Sequence, residues 1–519
     1  DGFVKSPYAA LPFLLLGGRV PEVTAGKAGW KNMGIRENDR ESIIEGNRRD
    51  LGPLHDMLSW VRPERAQEAR EERSRLLRVL APLADAGFRG TKLDCRTLSP
   101  GCRLCGEGAW SCLFINGICN GGCFYCPSEQ KSREEPMTGG VRFPTPKEYI
   151  PYLERFGFRG VSVSGGEPLL TLDRTLLFVR KIRDHFGAGM YVWLYTNGLL
   201  ADRDTLRLLR DAGIDEIRFN IGAGNYHLDP VLRAVGIIPR VTVEVPAVPE
   251  KEELLKEAAR EMARSGVDFL NLHQIRCTPY NGRHLAARNY TLLHGARVSV
   301  LESELAALRI LADLREQGIG LPVNYCSSVY RSRFQGAGAA RRAAGIVRKP
   351  WEDVTEAGRI RSLFLEGPQE TLRRISGTLP GQGASGSSWT LAPGGGRLFF
   401  SGDLLSRVEV SGARAGVSYF ACSLHPSVTY GNPCTEVPLT RKKSVFVERR
   451  SLVRDLPLLP GDLSGFERWF VRREDPPRDA EEILRRRREI GLEAGAGERE
   501  RWERIFEGEC IPFGLADYY

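Results

Sequence analysis

The chain has 519 residues, 42% of them hydrophobic and 27% charged, the balance of a soluble globular protein long enough for a real core. Net charge is +9, from 74 basic and 65 acidic residues, which is mild for this length and marks no nucleic-acid stripe. The apolar run Ala9–Leu16 is too short to span a bilayer and no cleavable signal is read, so the expectation is a cytoplasmic protein with no membrane span.

Residues 1–94 read as an N-terminal helical extension without chemistry of its own. Its clearest element is a helix over Pro63–Leu80, with Leu76, Leu77, Val79 and Leu80 on the apolar side and Pro82 ending it. From Cys112 onward strands and helices alternate. Strands are expected at Cys112–Ile118, Gly160–Ser164, Met190–Thr196, Ile214–Ile221, Val241–Val245 and Val267–His273. Helices are expected at Thr171–Phe186, Asp202–Ala212, Lys251–Arg264 and Val298–Gln317. Thr145-Pro146-Lys147-Glu148 reads as a further helix start, with Thr as cap and Glu closing a capping box.

This recurrence is the βα repeat of a parallel sheet. Six strands predict an α/β fold, a partial (β/α)6 TIM-like barrel, for residues 95–350 with their cysteine-rich lead-in. Reactive groups in such folds gather at the carboxyl ends of the strands. Residues 319–350 hold an apolar strand-like stretch into Cys326 and then a basic helix around Arg341. Beyond a Gly/Ser/Pro-rich break at Gly377–Gly396 come short strands at Arg397–Phe400, Val417–Cys422 and Ser444–Val447, then a charged helical stretch, Ala480–Phe506. Residues 351–519 thus read as a C-terminal α+β accessory or substrate-binding domain.

Seven of the 12 cysteines fall between Cys95 and Cys126. In a long chain without a secretory signal, such clustering means metal or redox chemistry before disulfides. Cys119-x-x-x-Cys123-x-x-Cys126 offers three thiolates on one loop leaving the first strand. Thiolates select zinc or iron–sulfur. A structural zinc wants four ligands, normally in pairs. Three suit a 4Fe–4S cluster with one iron left without a protein ligand, and Gly117, Gly121 and Gly122 let the loop turn tightly.

The run Cys119-Asn120-Gly121-Gly122-Cys123-Phe124-Tyr125-Cys126 resembles the signature of the radical S-adenosylmethionine (SAM) superfamily, with an aromatic residue before the third cysteine. Gly165-Gly166-Glu167-Pro168 resembles its second motif, and Tyr195-Thr196-Asn197-Gly198 ends the third strand as the family's polar ribose-side residues do. The likeness covers roughly residues 112–273. A narrower one, to a branch related to the pyruvate formate-lyase activating enzyme, rests on Ser99–Gly108, Leu113-Phe114-Ile115, Gly213–Phe219, Asp268–Leu272 and Cys326-Ser327-Ser328. His273-Gln274-Ile275-Arg276 stand where that branch has Asn-Glu-Leu-Glu, so no role of those acids carries over.

The resemblance implies that SAM chelates the open iron and that one electron, from a donor such as ferredoxin or flavodoxin, cleaves it to methionine and a 5′-deoxyadenosyl radical. The radical takes a hydrogen from a peptide, protein or small-molecule substrate. The cofactor-binding residues implied are Tyr125 near the adenine, Gly165, Gly166, Glu167, Pro168, Thr196 and Asn197. The two glycines would admit backbone polar groups close to the ligand, and Glu167 would accept from the SAM amino group. Asn220 and Glu244, on inner strands, are further candidates for the SAM pocket.

Cys102-x-x-Cys105 has metal-like spacing. With Cys95, Cys112 or Cys326 it would hold an auxiliary iron–sulfur cluster; reduced thiols or a disulfide are the alternatives. Cys326 is the distant cysteine best placed to join them or to act on substrate, against a plain buried side chain. His227, His273, Tyr280 and His284 fall near the expected substrate mouth, and Cys422, Cys434 and Cys510 are expected to be inert. Basic runs at Arg441–Lys443 and Arg485–Arg488 motivate an alternative, an RNA-modifying enzyme with nucleic acid as partner. Outside enzymes, the alternative is a non-catalytic iron–sulfur or zinc interaction module.

Overall fold

The structure, a computed structural model, describes residues 37–82, 87–94, 96–132, 134–492, 495 and 497–519; Ala9–Leu16 and Cys95 lie outside the described residues. The chain divides into two units, residues 1–335 with 514–519, and residues 336–513. The division falls within helix Ser328–Val347 rather than at residue 350, and the last six residues belong with the first unit.

The first unit is built on β1 (Lys92–Leu93), β2 (Trp110–Ile118), β3 (Gly160–Gly165), β4 (Tyr191–Thr196), β5 (Glu216–Phe219), β6 (Arg240–Pro246), β7 (Phe269–His273) and β8 (Val323–Cys326). Strands β2 to β8 pair in sequence order and in parallel, and β1 closes the edge antiparallel to β8. The partial barrel therefore carries a seventh parallel strand beyond the six expected. It is the strand-like stretch that runs into Cys326: Val323–Cys326 is four residues long, all four are buried, and they are in register with Leu270–His273.

Two local expectations change. Helix Pro63–Leu80 forms with the expected bounds, yet it buries Ala66, Ala69 and Leu80, and Val79 is exposed. Small alanines let it lie against Leu301 and Leu305 of helix Leu301–Glu316, beside Tyr518. Thr145 stands at the N-cap position of helix Pro146–Arg155, but its side chain makes no cap bond, so no capping box forms; Pro146 starts the helix.

Helix α1 (Pro100–Glu107), which carries Cys102 and Cys105, starts at Ser99, whose side chain accepts from Cys102 N, and stops at Gly108 in the left-handed region. It packs on the interior of the sheet: Arg218 of β5 donates to Ser99 Oγ at 3.0 Å and Asn271 of β7 donates to Cys102 Sγ at 3.4 Å.

The second unit is a seven-stranded antiparallel sheet whose longest strands are Arg359–Glu366, Arg414–His425 and Lys443–Leu458. Its core gathers Leu363, Phe400, Val417, Tyr419, Trp469 and Trp502. The helical stretch expected over Ala480–Phe506 is two helices, Ala480–Glu489 and Glu498–Glu509, parted where Gly491 and Gly497 adopt positive φ. Among the described residues no helix is long and apolar enough to cross a membrane.

Candidate active site

The cysteine triplet leaves the carboxyl end of β2. Gly121 N donates to Cys119 Sγ at 3.3 Å, Cys126 N to the Cys123 carbonyl at 3.0 Å, and Gln130 Nε2 to Cys126 Sγ at 2.6 Å. Burial pushes the Cys123 and Cys126 thiols up, so a metal that binds there must displace protons. Cys123 and Phe124 pack against a cluster that includes Leu51, Leu54 and Leu58. The N-terminal extension, read as devoid of chemistry, thus walls the cysteine loop.

The Gly165–Pro168 motif holds this loop's base. Gly166 N donates to Asn116 O at 3.1 Å and Glu167 N to Ile118 O at 2.7 Å. A Cβ on Gly166 would sit 1.9 Å from Ile118 O, and one on Gly165, at φ 131°, 2.3 Å from Asn116 O. The close approach these glycines admit is therefore that of the end of β2. Glu167 is fully buried: Oε1 accepts from Leu169 N at 3.0 Å and Thr196 Oγ1 at 2.9 Å, and Oε2 from Asn197 N at 2.7 Å. Burial outweighs these donors and raises its pKa. The carboxylate ties the end of β3 to that of β4. Asn197 in turn donates from Nδ2 to Asn120 Oδ1 at 2.7 Å and lies 3.6 Å from Cys119 Sγ.

Tyr125 donates to Asn220 Oδ1 at 2.9 Å, so the aromatic residue of the cysteine loop meets the end of β5. Pro168 is buried at the start of the turn after Glu167. Three positioning residues escaped the sequence reading. Asn116 donates to Glu167 O and to Thr171 Oγ1; Asn281 donates to Tyr125 O at 3.0 Å; and Thr278 donates to Pro127 O at 3.0 Å. Asparagines next to a glycine motif and inside a long loop were the available signal.

Inside the barrel runs a buried charge network. Arg218 bridges Glu216 at 2.8 Å and Glu244 at 2.7 Å, and Asn271 donates to Glu244 at 2.9 Å. His273 Nε2 lies 3.0 Å from Glu244 Oε1 and hydrogen-bonds Cys326. Burial works against ionisation of both partners. It is outweighed by Arg218 and His273 for Glu244, which is held well below the usual range, and by Glu244 for His273, which is raised. Two sequence candidates, His273 and Cys326, are thereby brought together. Tyr280 and His284 lie exposed on the loop after β7, and His227 is exposed after β5.

Cys102 accepts from Asn271, while Cys105 accepts from Gln335 at 3.3 Å and Tyr330 at 3.7 Å. Among the described residues no three His, Cys, Asp or Glu side chains are already gathered as a ligand set, at Cys102–Cys105 or at the triplet. What fits iron–sulfur at the triplet is its donor chemistry, three soft thiols on one loop with polar groups around the sulfurs. Those three would hold a 4Fe–4S cluster.

The family model described as the Radical SAM superfamily matches residues 113–245, from β2 into β6. A Methanocaldococcus jannaschii protein named as a glycyl-radical enzyme activating enzyme is 29% identical over 293 residues, covering 54% of this chain and 76% of that relative. A Methanococcus maripaludis protein named as a GTP 3′,8-cyclase is 31% identical over 122 residues, 23% of this chain and 37% of the relative. The solved structure of methylornithine synthase aligns over 56% of this chain and 85% of its own, at 15% identity and a TM-score of 0.31.

Proposed function

We propose that the chain is a radical SAM enzyme, with a 4Fe–4S cluster and SAM as its cofactors, that generates a substrate radical on a peptide or protein. In this reading Cys119, Cys123 and Cys126 hold the cluster, and Thr196, Asn197, Asn220 and Tyr125 line the SAM side of the loop. The cluster and SAM supply a hydrogen-abstracting radical when bound. The chain supplies placement. Glu167 fixes the backbone of Asn197 beside the cysteine loop, and the wall of Leu51, Leu54 and Leu58 packs against Cys123 and Phe124 of that loop.

The observation that carries the reading is the convergence of the triplet, the Gly165–Pro168 motif and the Thr196-Asn197 turn at the carboxyl ends of β2, β3 and β4, joined through Glu167. The preference for a peptide or protein substrate rests on the M. jannaschii relative, of which this chain covers 76%. Anaerobic reconstitution with iron, sulfide, SAM and dithionite tests the first part, and 5′-deoxyadenosine is the expected product. Peptides deuterated at candidate positions test the second. Deuterium is expected in 5′-deoxyadenosine, and label arriving only from small molecules would reject a peptide substrate.

A further inference from the structure

Cys326 sits at a junction that the proposed radical chemistry does not use. It is the last residue of β8, and Ser327 after it caps the next helix. Ser327 Oγ accepts from Tyr330 N at 3.0 Å and its carbonyl from Arg331 N at 3.2 Å. Cys326 therefore immediately precedes the first turn of that helix. Lys92 of β1, itself buried, donates from Nζ to Cys326 Sγ. His273, the register partner of Cys326 on β7, bonds the same sulfur and turns its Nε2 to Glu244. Asn324 Oδ1, 3.5 Å from Sγ, accepts the proton of the neutral thiol. The other titratable or charged groups near the pair are Cys102 and Cys105 of α1, Tyr330, and Arg331.

The contrast with the other buried cysteines is chemical. Burial pushes Cys105 up to about 11, and Cys112 and Cys277 up to about 12. Cys326 differs in its neighbours: the Lys92 ammonium and the His273 imidazole, its register partners on the two flanking strands, both meet its sulfur. A nucleophile, an imidazole in contact with it and a carboxylate orienting that imidazole are the parts of a covalent catalyst.

We propose that Cys326, His273 and Glu244 form a nucleophilic triad, with Lys92 on the thiolate, that captures an acyl group from an ester or thioester. The thiolate attacks the carbonyl carbon and the π pair moves onto oxygen. When that pair returns, the new C–S bond stays and the bond to the alcohol or thiol breaks. His273 gives its proton to this leaving group. An acyl-Cys326 thioester and a free alcohol or thiol result, with no electron gained or lost. A protonated imidazole beside the thiolate is what an acyl leaving group needs and what simple alkylation does not. The chemistry goes beyond the radical reading and needs neither cluster nor SAM.

The test uses the full chain, cluster-loaded and anaerobic, with p-nitrophenyl acetate as probe. Nitrophenolate release is followed while acetylated peptides are mapped by mass spectrometry. The expected result is a nitrophenolate burst, with acetyl on the Cys326 peptide at least roughly tenfold faster than on the Cys277 peptide at neutral pH. Lys92→Met is expected to move the midpoint of the pH–rate profile upward and Lys92→Arg to restore it. His273→Asn is expected to slow the burst. Equal acetylation of Cys326 and Cys277, or a midpoint that Lys92→Met leaves in place, would overturn the triad. Protein that forms 5′-deoxyadenosine without acetyl on Cys326 removes the triad alone. Acetyl on Cys326 without 5′-deoxyadenosine removes the radical reading alone.

Discussion

Asn281 donates its side-chain amide to the carbonyl of Tyr125, 156 positions earlier, at 3.0 Å. Its other N–H goes to Arg276 O at 2.8 Å, and its Oδ1 accepts from Thr278 N at 2.8 Å. The long loop after β7 thus sets the backbone of the cysteine loop. Asn281→Ala leaves buried carbonyls unpaired, at a cost of about 1–3 kcal/mol each. The expected outcome is a lower melting temperature and less iron and sulfide per chain after anaerobic reconstitution. Wild-type iron content in that variant would show that the loop does not position the cysteines.

Gly166 and Gly122 make opposite demands. A Cβ on Gly166 would collide with the Ile118 carbonyl at 1.9 Å, and that carbonyl is held by Glu167 N and cannot retreat. A Cβ on Gly122 meets nothing within 4 Å. Gly166→Ala is expected to destabilise the first unit by about 1–3 kcal/mol or more, the cost of overpacking a rigid site. Gly122→Ala is expected to leave the urea midpoint unchanged within error. Equal midpoints for the two variants would contradict the strand-end packing seen here.

The residues that carried local chemistry were legible in the sequence. The triplet stands out by residue type and spacing, whereas the Gly165–Pro168 motif and Thr196-Asn197 stand out only through the family resemblance, and the structure gathers all three at neighbouring strand ends. What the sequence hid depends on long-range pairing. The stretch into Cys326 reads as strand-like, but only register with Leu270–His273 shows that Cys326 and His273 are opposite one another. Lys92 lay in a segment read as inert, and its contact with Cys326 spans 234 positions. The helix over Pro63–Leu80 was misread on its face because Ala66 and Ala69 bury little area yet permit the closest approach.

The Glu244–His273 pair gives the first unit a stability window. Burial is outweighed at both residues, leaving Glu244 below its ordinary 4.5 and His273 above its ordinary 6.5. The Glu244 contribution is present above 4.5 and lost as pH falls below it toward the folded value. The His273 contribution is complete below 6.5 and lost as pH rises through the folded value. Together they stabilise most between those two points. The urea midpoint of wild type relative to His273→Gln is expected to peak in that window and to narrow above it. Glu244→Gln strips the carboxylate that Arg218 and His273 share and is expected to cost about 3–5 kcal/mol within it. A wild-type advantage that grows above pH 6.5 would reverse the assignment.

Leu54 tests whether the N-terminal extension protects the cysteine loop. It is 8% exposed, sits over Gly282, where a Cβ would come within 2.2 Å of its Cδ2, and belongs to the cluster against which Cys123 and Phe124 pack. Leu54→Ala removes buried methyls next to the loop and is expected to cost about 2–5 kcal/mol. Because the cavity opens beside Cys123, the variant should also bleach its iron–sulfur absorbance faster in air than wild type. Leu170→Ala is the control, since Leu170 is 36% exposed. If Leu54→Ala lowers stability but bleaches at the wild-type rate, the extension braces the fold without shielding the loop, and access of oxygen to the cysteines is governed elsewhere.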